Sequence, residues 1–82
     1  MALKARIDSP QALGRVLEQA RLLNGMTQRD VARALDTDQK YVWELEAGKA
    51  TVAIQRLLRA ANLLGVRLVA EVDEPDSRSG RA

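Results

Sequence analysis

The fold is decided by residues 27–49, Thr-Gln-Arg-Asp-Val-Ala-Arg-Ala-Leu-Asp-Thr-Asp-Gln-Lys-Tyr-Val-Trp-Glu-Leu-Glu-Ala-Gly-Lys. This pattern predicts two short helices joined by a tight turn. Thr27 offers an N-cap, with an acidic residue three positions later in a variant of the capping box. Residues 36–37 supply the turn, Asp38 caps the second helix, and Gly48 ends it by adopting the left-handed conformation.

Two further helices flank this pair. Ser9 is a good N-cap and Pro10 a good first helical residue, and the helix that they start is expected to stop at Gly25. Its apolar residues recur at spacings of three and four: Leu13, Val16, Leu17, Ala20 and Leu23. Thr51 caps a fourth helix, whose apolar stripe consists of Ile54, Leu57, Leu58, Ala61 and Leu64. In the central pair, the residues expected to face inward are Val31, Ala32, Leu35, Val42 and Leu45.

The hydrophobic period changes after the fourth helix. Residues 66–72 alternate apolar and polar side chains, which predicts a short strand with Val66, Leu68, Ala70 and Val72 on one face. Because an unpaired strand edge is unfavourable, the favoured hypothesis is that these residues form a dimerisation strand that pairs with the same segment of a second subunit. A frayed helix extension and an intrachain hairpin with the alternating residues 3–7 remain open. Residues 1–8 are expected to form an N-terminal arm and residues 73–82 a disordered tail.

Composition excludes most catalytic chemistry. The 82 residues contain no Cys and no His, so disulfides, thiolate or imidazole metal sites and histidine-based catalysis are ruled out. We therefore expect no metal, no cofactor and no enzymatic activity. No apolar run is long enough to span a bilayer, and we expect a cytoplasmic protein, associated with the nucleoid when bound to DNA. Residues 1–69 carry a net charge of +4 and residues 70–82 a net charge of −2, so the part expected to fold suits a polyanionic partner.

The second helix of the central pair presents polar side chains suited to reading DNA. Since Val42 and Leu45 face inward, its long polar residues remain outside near its N-terminal end, the end that such motifs insert into the major groove. Gln can bond adenine, Lys can donate to guanine, and Glu can accept from cytosine. The candidate DNA-binding residues are Gln28, Arg29, Asp38, Gln39, Lys40, Tyr41, Trp43, Glu44 and Lys49. Trp43 has three open readings: a groove flank, a partner contact, or a cover over the fourth helix.

Residues 26–35 and 39–49 resemble the phage-repressor/Cro class, also called the XRE family, over about residues 10–66. The resemblance implies an all-α, lambda-repressor-like domain of four to five helices at residues 9–65, and the expected strand that pairs across a homodimer follows this domain. It also implies a structural ion pair between Arg21 and Glu46. Asp36 stands where the family commonly has Gly, and Asp tolerates the left-handed conformation better than most residues.

A narrower resemblance is to HipB-like antitoxins. It is carried by Ser9-Pro10-Gln11, by residues 41–51 and by the Leu-Gly-Val-Arg-Leu-Val ending at residue 69. This resemblance implies a homodimer that represses its own operon by binding a palindromic operator in double-stranded DNA, and that binds a HipA-like serine/threonine kinase toxin. The alternatives are a stand-alone XRE-family transcriptional regulator without a toxin partner, and a protein-interaction module that has lost DNA binding.

Overall fold

Four helices and two short strands make up the described part of the chain. The computed structural model describes residues 3–73, so the expected tail at 74–82 and the first two residues of the arm lie outside the described residues. The elements in chain order are β1 (Leu3–Arg6), α1 (Pro10–Leu23), α2 (Gln28–Ala34), α3 (Gln39–Glu46), α4 (Val52–Leu63) and β2 (Val69–Val72). The expected four helices are confirmed, and a two-stranded sheet accompanies them.

Side-chain caps start all four helices at the expected residues. Ser9 Oγ accepts a hydrogen bond from Ala12 N–H, and Thr51 Oγ1 accepts one from Ile54 N–H. Asp38 Oδ1 accepts one from the N–H of Tyr41 at 2.9 Å. These bonds satisfy backbone donors that a helix leaves without a partner in its first turn. Local chemistry thus fixes where each helix begins, as the sequence predicts.

The two strands pair with each other in the same chain. They are antiparallel, with Ala5 opposite Ala70 and Arg6 opposite Val69, and the N–H of Ile7 donates to the carbonyl of Leu68 at 2.8 Å. This is the intrachain hairpin with the N-terminal segment, one of the open alternatives. The strand is shorter than residues 66–72, because Val66 N–H still bonds to Ala61 O at the end of α4.

The alternation along the second strand is confirmed where the strand exists. Ala70 and Val72 are partly buried, whereas Val69 and Glu71 are exposed. Val66, expected on the inner face, precedes the strand and is 50% exposed. The mostly helical fold with a short C-terminal strand is therefore confirmed, and the strand at 69–72 pairs with residues 3–6 in a two-stranded sheet; pairing across a homodimer stays a prediction.

Few side chains of the described chain are fully buried. The apolar residues with less than a tenth of their surface exposed are Ile7, Ala32, Val42 and Leu58. Six of the helical residues expected to face inward are instead exposed. The most exposed are Leu35 at 55%, Leu57 at 59% and Leu64 at 74%, and the others are Leu17, Leu23 and Ile54. Leu35 follows the last residue of α2, and Leu57 and Leu64 lie on a face of α4 that no described element covers. A domain of this length has too little chain to cover every apolar face.

Candidate nucleic-acid interface

A tight turn and a close helix crossing position α3. Asp36 adopts a left-handed conformation, with φ of 58°, and Thr37 N–H donates to Ala32 O at 2.9 Å, which closes the end of α2. Gly14 of α1 lies directly under the end of α3: a Cβ there would come within 2.5 Å of the carbonyl oxygen of Glu46. Real Cβ atoms do not approach that closely, so the crossing of α1 and α3 requires glycine.

An ion pair joins α1 to the end of α3. Arg21 Nε donates to Glu46 Oε2 at 2.6 Å, and Arg21 Nη2 donates to Oε1 at 3.1 Å. The third nitrogen, Nη1, donates to the carbonyl of Met26 at 3.0 Å. Only 12% of the Arg21 side chain and 7% of the Glu46 side chain are exposed. The ion pair expected from the resemblance is thus present as a bidentate, largely buried contact.

A chain of hydrogen bonds continues from this ion pair to the protein surface. Gln28 Nε2 donates to Glu46 Oε1 at 3.0 Å, and Gln28 Oε1 accepts from Gln39 Nε2 at 3.3 Å. Gln39 Oε1 in turn accepts from Arg29 Nε at 3.3 Å. Gln39 and Arg29 are exposed. The buried guanidinium of Arg21 therefore orients, through two intermediates, the first side chain of α3.

The remaining candidate residues of α3 divide between two surfaces. Trp43 lies one turn after Gln39, is 49% exposed, and has the ammonium of Lys49 at 4.7 Å from the centre of its ring. Tyr41 and Glu44 instead line an open groove of about 530 Å³ between α1, α3 and α4. Trp43 is thus half covered and does not line this groove, and its three interpretations stay predictions.

Two further candidates have distinct surroundings. Lys40 is exposed at the start of α3. The carboxylate of Asp38 caps α3 through the backbone of Tyr41, so its structural role is clear. The DNA contacts of these side chains stay predictions.

The surroundings of Arg21 and Glu46 favour the charged form of both side chains. The hydrogen bond from Arg21 holds the pKa of Glu46 below its usual range, and the Gln28 amide adds to this, while burial pushes the pKa in the opposite direction. The same hydrogen bond raises the pKa of Arg21. Both shifts show that the pair is stabilised in its ionised form.

The comparison with protein families agrees with this geometry. The family described as Helix-turn-helix matches residues 17–70, more than half of the chain and all of α2, α3 and α4. The chain belongs to the helix-turn-helix family. Comparison with curated proteins and with solved structures found no match.

The helix-turn-helix domain is a DNA-binding regulatory domain and not an enzymatic domain. The protein is therefore a DNA-binding regulator of the XRE type. In this helix-turn-helix protein, α3 occupies the position of the recognition helix, with α2 packed across it. Within residues 3–73, no helix combines the length and the apolar character that crossing a membrane requires.

Two features of the helix-turn-helix site escaped the sequence analysis. The first is Gly14, whose missing side chain lets α1 and α3 touch; a glycine inside an otherwise helical pattern is the available signal. The second is the amide of Gln28, which bonds to Glu46 on one side and to Gln39 on the other. The sequence made Gln28 only a candidate DNA contact, whereas the structure also makes it the link between the ion pair and α3.

Proposed function

We propose that this protein is a sequence-specific transcriptional repressor that binds a palindromic operator as a homodimer and serves as the antitoxin of a HipA-like kinase. The observation that carries the DNA-reading part is the bonded series Arg21, Glu46, Gln28 and Gln39. A side chain held in one orientation before binding loses less conformational entropy when it contacts a base. Gln39 is thus prepared for the bidentate contact that Gln makes with adenine.

Lys40 is the neighbour of Gln39 at the exposed start of α3, where it reaches guanine acceptors or a phosphate. Arg29 donates to Gln39 at this start and, together with Lys49, supplies positive charge for the phosphate backbone. Trp43 and its stacked Lys49 extend the same side of α3 by one turn. Base contacts of Gln39 and Lys40 set the sequence, and the surrounding cations set the salt dependence.

Operator binding tests the base contacts directly. Gln39→Ala should weaken binding to the selected operator by about 5- to 150-fold, the range for one lost base contact, and should relax preference at one base pair. Gln19→Ala, an exposed glutamine on α1 that lies outside this interface, is the matched control. For Lys40→Ala, which removes the other proposed base contact, the matched control is Lys4→Ala. Affinity and sequence preference that survive both α3 changes would refute base reading by this helix.

The homodimer is supported by the free edge of β2. Hydrogen-bonded and non-bonded pairs alternate in an antiparallel ladder, and the Ile7 to Leu68 bond sets the phase. Accordingly, the N–H and C=O groups of Val69 and Glu71 point away from β1. We place Ala70 opposite the partner subunit's Ala70, because a register that sets two Glu71 side chains opposite each other is unfavourable.

Proline at residue 71 tests this pairing. Glu71→Pro removes an outward N–H while the bonds between β2 and β1 remain, so the homodimer should dissociate about tenfold more readily. Glu71→Ala controls for loss of the exposed ion pair with Lys4, which spans 3.6 Å. Equal dimer dissociation constants for both variants would exclude strand pairing through β2.

The antitoxin role is supported by the resemblance to HipB-like proteins alone. A HipA-like kinase gene beside the gene for this chain, with kinase activity that falls when the purified protein is added, is the expected result. A neighbourhood without such a kinase, combined with specific operator binding, identifies a stand-alone regulator instead. Absence of both kinase and operator binding would leave a protein-interaction module.

A further inference from the structure

One face of α4 is apolar along its whole length and lies open. Successive residues of a helix are about 100° apart, so Ala53, Leu57, Ala60 and Leu64 fall on one line, which we call the α4 stripe. Leu57 is 59% and Leu64 is 74% exposed, and both alanines are exposed as well. Leu58, on the inward face of α4, is buried, with only 5% of its surface exposed. Thus α4 has two apolar faces, and the described chain covers only one.

The order of side chains in the α4 stripe is complementary to itself. Small and large residues alternate at spacings of four, three and four, a pattern that reads the same backwards with the sizes exchanged. Two such helices that cross antiparallel about a twofold axis place each leucine against an alanine. Alternation of large and small residues across a contact is what close packing requires.

We propose that the α4 stripe is a contact between two copies of this chain, in which Leu57 packs on the partner subunit's Ala60 and Leu64 on the partner subunit's Ala53. The inference rests on the homodimer proposed above and assigns its apolar part. Because each contact occurs twice across the twofold axis, a stripe of four residues gives four leucine-to-alanine contacts.

The area that a dimer needs supports a second copy as the occupant. A stable interface buries about 800 Å² on each partner. Three paired residues of β2 span only about 10 Å, so pairing of the strands alone buries much less than this area. The α4 stripe adds apolar surface to this short ladder and faces away from the end of β1: Asn62, on the opposite face of α4, donates to the carbonyl of Asp8, two residues after β1. Both the α4 stripe and the free edge of β2 therefore lie away from β1.

The flanks of the α4 stripe are consistent with a contact between helices. No charged residue lies on the line of the stripe: Arg56 flanks it, about 60° from Ala53 around the helix, and Arg59 lies further round. A contact whose centre lacks charge and whose rim carries it is typical of protein interfaces.

Sedimentation of the full chain tests this contact. Leu57→Asp should weaken dimerisation by about 100-fold or more, because an aspartate would enter the apolar contact twice. Leu63→Asp is the matched control: Leu63 is 85% exposed on the same helix but off the stripe, and its change should leave dimerisation unaltered. Helical content from circular dichroism verifies that both variants fold.

A size exchange tests the register. Ala60→Leu alone should weaken the dimer about tenfold, because two leucines then meet, and Leu57→Ala alone should weaken it by leaving a gap. The double variant Leu57→Ala with Ala60→Leu restores a leucine against an alanine and should recover wild-type dimerisation to within about threefold.

The outcomes separate this contact from the proposed function. A wild-type protein that stays monomeric while it saturates a palindromic operator overturns the homodimer and the α4 contact together. A wild-type dimer that Leu57→Asp leaves intact overturns only the α4 contact, and the α4 stripe then belongs to another partner. A dimer that dissociates in Leu57→Asp but is not rescued by the size exchange refutes the leucine-to-alanine register.

Discussion

Removing the guanidinium of Arg21 should destabilise the fold strongly. In Arg21→Met, the Glu46 carboxylate keeps only the Gln28 amide as a side-chain donor while 7% of its side chain is exposed. Breaking a buried pair costs about 3–5 kcal/mol, because an unpaired charge remains. The pair lies near the surface of a small domain, so we expect about 3 kcal/mol, a third or more of the total stability of a chain this long.

Urea unfolding followed by circular dichroism, at one fixed protein concentration, measures this loss. The matched control is the exposed pair of Lys4 and Glu71, whose side chains are 68% and 56% exposed. Lys4→Ala should cost less than about 1 kcal/mol, as exposed ion pairs do. If Arg21→Met cost no more than Lys4→Ala, the conclusion that this ion pair is buried and tightly coupled would be refuted.

The double variant separates the stability of the pair from its function. Arg21→Met with Glu46→Leu replaces both charges with apolar side chains, which is often neutral or stabilising for a buried pair. We expect the double variant to recover most of the lost unfolding free energy. It should nevertheless bind operator DNA more weakly than the wild type, because Gln28 loses the acceptor that orients it. Recovery of both properties would show that the polar series plays no part in binding.

Four further variants are expected to change stability in measurable ways. Gly14→Ala should lower the unfolding free energy by about 2 kcal/mol through its clash with α3, whereas Gly65→Ala, with φ of 75° and no atom within 4 Å of the added Cβ, should cost only about 1 kcal/mol. Asp36→Val should cost about 1–2 kcal/mol in urea unfolding, because a β-branched residue must adopt φ of 58°. Because the folded pKa of Glu46 is lowered, its contribution is present above the unfolded pKa of about 4.3 and is lost as pH falls through the folded value, so Glu46→Gln should flatten the acid limb of an unfolding series.

The helix starts and the turn were predictable because their chemistry is local. A cap needs one side-chain oxygen and one backbone N–H three residues away. Thr27 and Asp38 can therefore be recognised as caps without knowledge of the tertiary fold. Thr27 and Asp30 exchange both hydrogen bonds of the capping box. The same holds for Asp36, whose tolerance of a left-handed conformation is a property of the residue itself. The ion pair of Arg21 and Glu46 was expected only through the family resemblance.

Features that depend on which surfaces meet were less predictable. Apolar spacing identifies Leu57 and Leu58 alike as hydrophobic positions, yet only Leu58 is buried within the chain. Periodicity measures how apolar residues cluster around a helix and does not say whether the covering surface comes from the same chain. The need for glycine at residue 14 likewise becomes visible only when α3 is seen to cross α1 there.

The shortage of buried side chains connects the DNA-reading surface to the dimer. With so few residues fully buried, α4 gains little from its own chain and leaves Leu57 and Leu64 in solvent. Association of two copies would cover them, and it would also place two copies of α3 on one DNA duplex, where half-sites about 34 Å apart are read together. Dimerisation would then both bury the exposed leucines of α4 and double the number of DNA contacts. A variant that weakens the α4 contact should consequently lose operator affinity at low protein concentration and regain it as concentration rises, whereas Gln39→Ala should stay defective at both.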